Sequence, residues 1–272
     1  MKKIFTLLVI GVLSIAGLST SALSQEQYEH AGKHQPFGFE LTGDIGVYNQ
    51  YIWRGAPQNV NKAAVQGDMG VGVGDFSASV WFSNTFASPA PQFAGQDAIE
   101  FDWTLDYSHS FGDFGVSVGT IYYTYLRDST ANFLEVYAGL SYDASISPSV
   151  AVYYTVADSS KTVNNLNETG DIWIDLGLST AVKDVDLGAT VSFVFYDSDP
   201  TRAADKAAGQ FEDGASLVTV GISKDFEVSS LTITPSLNLY IPVASKAPGD
   251  GKRYIYNTVS DNNVVFGVNV AF

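Results

Sequence analysis

No cysteine occurs in this chain of 272 residues. That one absence excludes a disulfide scaffold, a thiolate metal site and a lipid anchor on cysteine. Cations are scarce too: 14 Lys and Arg stand against 29 Asp and Glu, a formal net charge of −15. A chain this acidic makes a poor partner for nucleic acid or anionic headgroups. After Leu18 no apolar run approaches the about 20 residues that a membrane-spanning helix needs. Helical periodicity is also missing, because Pro or Gly interrupts most windows long enough to hold it.

The first segment has the marks of an export signal. Met1-Lys2-Lys3 is basic, Ile4 to Leu18 is apolar, and Ala22 and Ser24 are the small residues a signal peptidase reads. Residues 1–24 are therefore expected to be a signal peptide and 25–37 a flexible periplasmic tail. Cleavage after Ser24 removes Lys2 and Lys3 and no acid, so 12 basic residues face 29 acidic ones and the charge becomes −17.

From residue 38 onward the dominant signal has period two. It gives twelve candidate strands, at about 39–53, 63–73, 76–87, 98–111, 114–126, 132–143, 149–157, 170–182, 187–197, 215–223, 230–242 and 262–272. Their lengths suit tilted transmembrane strands of about 9 to 11 residues. Short turns (Gly74-Asp75, Gly112-Asp113, Asp143 to Pro148, Lys183 to Asp186, Lys224 to Ser229) alternate with mostly longer loops (Arg54 to Lys62, Ser88 to Asp97, Arg127 to Ala131, Asp158 to Glu168, Ser198 to Gly214, Val243 to Asp261). That rhythm predicts an all-β fold: a single antiparallel transmembrane β-barrel over residues 38–272, with short periplasmic turns and longer extracellular loops.

Charge falls on one side of the pleat. Ile99, Phe101, Trp103, Leu105 and Tyr107 alternate with Glu100, Asp102, Thr104 and Asp106, and the faces led by Phe39, Ile172, Leu187, Leu231 and Val264 are equally free of charge. A soluble β-sandwich shows the same alternation, but its polar face would carry Lys as freely as Glu. Here the basic residues sit in loops, turns or rims, which favours lipid outside and a wet acidic interior. Pro235 dissents, because proline cannot donate to a ladder and needs a bulge or a break. The alternating run Asn262 to Phe272 ends on an aromatic residue suited to the periplasmic rim.

The segments YIWRGAPQ (Tyr51 to Gln58), AAVQGD (Ala63 to Asp68), VWFSN (Val80 to Asn84), IYYTYL (Ile121 to Leu126) and NFLEVYAGLSYD (Asn132 to Asp143) follow one another over roughly residues 40 to 145. Together this ordered set resembles the TorF-like family of outer-membrane porins. The sequence departs from that pattern at Asn49-Gln50, where the family tends to Ser-Asp, and at Leu126, where proline is common. The resemblance implies the barrel more than it implies a solute.

Pleat parity turns Glu40, Asp44, Asp68, Glu100, Asp102, Asp106, Glu135, Asp171 and Asp175 inward. Arg54 and Arg127 are the inward basic residues at strand ends. These ten, Glu40 aside, are the candidate pore lining, with the arginines able to pair with upper acids such as Glu100 or Glu135. Either water and cations fill the lumen or the acids hydrogen-bond across a packed interior. Inward Tyr48, Trp81, Tyr123, Tyr125, Tyr137, Tyr153, Trp173, Tyr196 and Tyr240 could stack a sugar, but such residues more often narrow a small barrel.

Of the three histidines, His30 and His34 precede the barrel, and His109 has outward parity with no serine to serve. No enzymatic activity, cofactor or metal is therefore expected. The reading is an outer-membrane porin-like channel of a Gram-negative bacterium, passing small hydrophilic solutes and favouring cations or neutral species. The alternatives are a non-conducting structural or adhesive barrel and, less favoured, a barrel hydrolase. Expected partners are outer-membrane lipid and lipopolysaccharide, and the assembly machinery during insertion; the loops bearing Asp197 and Asp199 read first as solvated outer loops, with divalent-cation bridging to lipopolysaccharide as the lesser alternative.

Overall fold

The computed structural model describes residues 38–59, 62–85, 98–126, 129–159, 168–197, 211–244 and 261–272, with short pieces between 246 and 259. The expected signal peptide and tail lie outside the described residues. Twelve strands form one closed antiparallel barrel. They are β1 (Glu40–Tyr48), β2 (Ala64–Val73), β3 (Phe76–Thr85), β4 (Ala98–Phe111), β5 (Phe114–Tyr125), β6 (Phe133–Tyr142), β7 (Ser147–Asp158), β8 (Ile172–Val182), β9 (Val185–Phe195), β10 (Gly214–Ser223), β11 (Leu231–Pro242) and β12 (Asn263–Ala271). Each pairs with the next along the chain, and β12 returns to β1 from Ala271↔Asp44 to Gly267↔Tyr48. No edge is left to recruit another strand.

Alternation decides which side chains face out. Leu41, Leu105, Leu178 and Phe266 are 56%, 63%, 54% and 58% exposed, and none of the twelve strands contains Lys or Arg. An apolar belt this extensive exceeds what water-soluble surfaces carry and matches a lipid-facing one. Aromatic pairs lie toward the turn end: Phe76 on Tyr107 at 4.9 Å, Phe114 on Tyr142 at 4.8 Å.

Two-residue turns begin at Gly74, Gly112, Lys183 and Ser229, all at positive φ between 59° and 65°, the backbone hand that matches the twist of paired strands. The last of these corrects the sequence reading of a turn from Lys224 to Ser229. The piece Phe226–Val228 instead continues β10 and pairs with β11. Between them Lys224 and Asp225 stand opposite Pro235 and Thr234 outside the ladder; Lys224 donates its N–H to the Pro235 carbonyl at 3.3 Å, and proline has no N–H to return. The break that Pro235 demanded falls there.

A larger departure concerns β1, expected to run to residue 53 and found to end at Tyr48. Asn49 takes the chain out of the sheet. Its Nδ2 donates to the Val264 carbonyl at 3.0 Å and its Oδ1 accepts the Phe266 N–H at 2.8 Å, so a side chain stands in for the next residue of the ladder. The chain beyond is free to turn inward.

Candidate functional site

Tyr51 to Gln58 fold as a tight hairpin inside the loop end of the barrel. Ile52 pairs with Pro57 and Trp53 with Ala56. The stem is held by Gln58 N–H donating to the Tyr51 carbonyl at 2.8 Å and Tyr51 N–H donating to Asn59 Oδ1 at 2.9 Å. Arg54 and Gly55 form the tip, at φ 46° and 82°. Two left-handed residues in succession are the signature of the hairpin turn whose twist suits its strands; glycine adopts it freely, and arginine at a penalty of about 1 kcal/mol.

What the arginine meets offsets that penalty. Nη1 and Nη2 of Arg54 each donate to an oxygen of Glu135, both at 2.8 Å, with side chains 3% and 1% exposed. The guanidinium carbon lies 4.5 Å from the Trp53 ring centre, 5.1 Å from Tyr153 and 5.0 Å from Trp173. Glu135 also accepts the Tyr123 hydroxyl at 3.1 Å and the Thr155 hydroxyl at 3.4 Å. A buried charge pair recovers its desolvation only with such a complete set of partners. Tyr123 stacks on Phe133 at 4.0 Å, and Trp53 meets both rings edge on.

Four more acids lie in or beside this layer. Glu100 and Asp102 project from β4 and are buried, and Glu100 accepts the Tyr125 hydroxyl at 2.7 Å. Asp175 accepts the Trp173 indole N–H at 2.8 Å and the Ser192 hydroxyl. Asp171 is tied to backbone: it accepts N–H groups from Asp197 at 2.9 Å and Glu168 at 3.1 Å, joining the loop-end approaches of β8 and β9. Arg127 and Asp199 lie outside the described residues.

Toward the turn end the interior is more accessible. Asp44 and Asp68 are direct partners across the β1–β2 ladder and both are partly exposed. Asp106, also partly exposed, accepts hydroxyls from Ser108 and Tyr137. Glu40 sits half-buried at the rim. The structure thus divides the candidate residues: Arg54, Glu100, Asp102, Glu135 and Asp175 belong to a packed outer layer, and Asp44, Asp68 and Asp106 to a more accessible inner one. At the loop end of β1 small residues make room for a large one; the Tyr48 ring lies over Gly46 and Gly267, where any Cβ would collide with it.

Sequence reasoning placed Arg54 on the end of a strand and missed the hairpin. The signal was present in Arg54-Gly55, a turn-competent pair between Ile52-Trp53 and Ala56-Pro57. His109, expected to face outward near the turns, has Nδ1 2.8 Å from Asp75 Oδ2 at the partly exposed turn end. Among the described residues no group of three His, Asp or Glu side chains is arranged to hold a metal ion.

Comparison with known proteins places residues 31–229 under the profile of a bacterial family of unknown function, Gcw_chp. No curated protein matches the sequence. Solved structures with a similar chain path include the KdgM porin, 10% identical, TM-score 0.49, covering 85% of this chain and 98% of that one. The COG4313 outer membrane channel from Pseudomonas putida F1 is 9% identical, TM-score 0.48, covering 88% and 96%. Outer membrane phospholipase A from Escherichia coli is 13% identical, TM-score 0.46, covering 90% and 96%.

Proposed function

The chain belongs to the Gcw_chp family of bacterial proteins of unknown function, and we propose that it is a porin-like channel of the Gram-negative outer membrane, passing small hydrophilic solutes by diffusion. The observation that carries the proposal is the pairing of an apolar exterior with the partly exposed inward acids Asp44, Asp68 and Asp106. None of the strands around them supplies a Lys or Arg. A wet interior of one sign focuses its field along the axis and favours cations or neutral solutes over anions. The motif-level likeness to TorF-like porins supports the same reading. Lipid and lipopolysaccharide cover the belt in this proposal, and the assembly machinery inserts it; the barrel itself performs no chemistry.

A second reading, a non-conducting structural barrel, draws on the packed outer layer, where Tyr123, Trp173 and Glu135 leave almost no accessible surface. Planar-bilayer recording of the pure, refolded protein separates the two. Discrete conductance steps support the channel, and a silent membrane carrying folded, heat-modifiable barrel overturns it.

A further inference from the structure

We propose that the barrel wall carries a guanidinium-binding site, built from Glu135 with Tyr123, Tyr153 and Trp173, in which Arg54 is a tethered and displaceable occupant that stoppers the lumen. The stopper half rests on the channel reading above; the binding half does not.

The two sides of the contact differ in how firmly they are held. Tyr123, Glu135, Tyr153 and Trp173 project from four successive strands, β5 to β8, each paired along its length with its neighbours. Arg54 sits at the tip of a hairpin whose stem has two residue pairs, and two-stranded hairpins of this size are marginal on their own. Moving the hairpin leaves the barrel ladders intact, although it uncovers buried Tyr51, Ile52 and Trp53. Moving the receptor means unzipping the barrel.

The receptor also has partners independent of its occupant. Glu135 is positioned by the Tyr123 and Thr155 hydroxyls, and the Tyr153 and Trp173 faces flank the space in front of it. A carboxylate presenting both oxygens between aromatic faces selects a planar forked cation. An ammonium satisfies one oxygen at a time and a neutral urea brings no charge. Withdrawal of Arg54 leaves a buried carboxylate lacking its counter-ion, which is the strongest reason for a free guanidinium to enter.

The test uses the full chain refolded in detergent. In Arg54→Ala, methylguanidinium should raise the thermal transition with half-saturation at about 1 mM, while methylammonium and urea raise it little. The wild type should show no comparable rise, because Arg54 holds the site. In planar bilayers Arg54→Ala should pass several-fold more current than the wild type, and it should stay open in methylguanidinium, which fills the site without restoring the tether. Absence of a methylguanidinium-specific rise in Arg54→Ala, or an equal rise in the wild type, overturns the site. Equal currents in wild type and Arg54→Ala overturn the stopper alone. If every variant is silent, including one with residues 51–58 replaced by a Gly-Ser linker, the channel reading and with it the stopper fall, and the thermal shift still decides the site. Should Arg54→Ala not fold, Arg54→Lys takes its place: methylguanidinium should displace its ammonium and raise its transition, and no rise overturns the site.

Discussion

Thr234 donates its hydroxyl to Asp225 at 2.6 Å, across the break in the β10–β11 ladder opposite Pro235. Partial burial raises the Asp225 carboxyl above its ordinary value and nearby Glu227 adds to the rise, against the hydrogen bond from Thr234. The folded barrel therefore holds this proton more tightly than the unfolded chain does. The stabilisation is full below the unfolded value near 3.8 and is lost as pH rises through the higher folded value. Asp225→Asn keeps an acceptor for Thr234 and removes the loss. The variant should gain up to about 1 kcal/mol at pH 7, since the site is half in solvent. Urea unfolding at pH 3 and pH 7 checks the sign: a gain that grows toward acid contradicts it.

Closure of the barrel gives a second prediction. The atoms nearest to a Cβ at Gly267 on β12 all belong to the Tyr48 ring from β1. Gly267→Ala should therefore destabilise by about 1 to 3 kcal/mol through overpacking. In a Tyr48→Ala background the same change should be nearly neutral, giving a coupling that a double-mutant cycle reads directly. Additive effects would mean the seam relaxes in some other way.

For the Arg54–Glu135 pair, removing one member should be worse than removing both. Glu135→Gln leaves a buried guanidinium facing a neutral amide, at a loss of about 3 to 5 kcal/mol. The double change Arg54→Met with Glu135→Leu removes both charges and should recover most of that loss. Chemical denaturation of the refolded barrels measures both, and a double variant no more stable than Glu135→Gln would show that the two side chains are not coupled.

Where sequence reasoning succeeded and failed has a physical basis. The strands were legible because lipid permits no charge on the outward face, so parity is enforced at every second residue from Leu41 to Val47 and from Ile99 to Tyr107. The direction of Glu100, Glu135 and Asp175 followed from the same parity. The inward hairpin did not, because Asn49 replaces a ladder residue with side-chain hydrogen bonds that leave the local pattern of hydrophobicity unchanged. Nor did the division of the acids into packed and accessible groups. Asp102 and Asp106 are two positions apart on one face, yet one is buried and the other partly exposed, because the hairpin fills one end of the lumen only.

That division sets the last prediction, which concerns selectivity. In the proposed channel the accessible acids would govern the field a permeating ion meets, and those are Asp44, Asp68 and Asp106 rather than buried Asp102. Potassium should pass more readily than chloride, and the preference should fade with salt as the screening length drops from about 10 Å at 0.1 M to about 3 Å at 1 M. Asp44→Asn with Asp68→Asn removes two carboxyl groups from residues that face each other across one ladder. It should lower the preference more than Asp261→Asn, which removes an exposed charge at the loop end. Since neither Asp44 nor Asp68 pairs with a Lys or Arg among the described residues, the loss is not compensated by freeing a cation. Reversal potentials in a salt gradient, taken at low and high mean salt, give the answer. An anion-selective parent, or equal shifts from the double change and from Asp261→Asn, would place the selectivity outside the lumen.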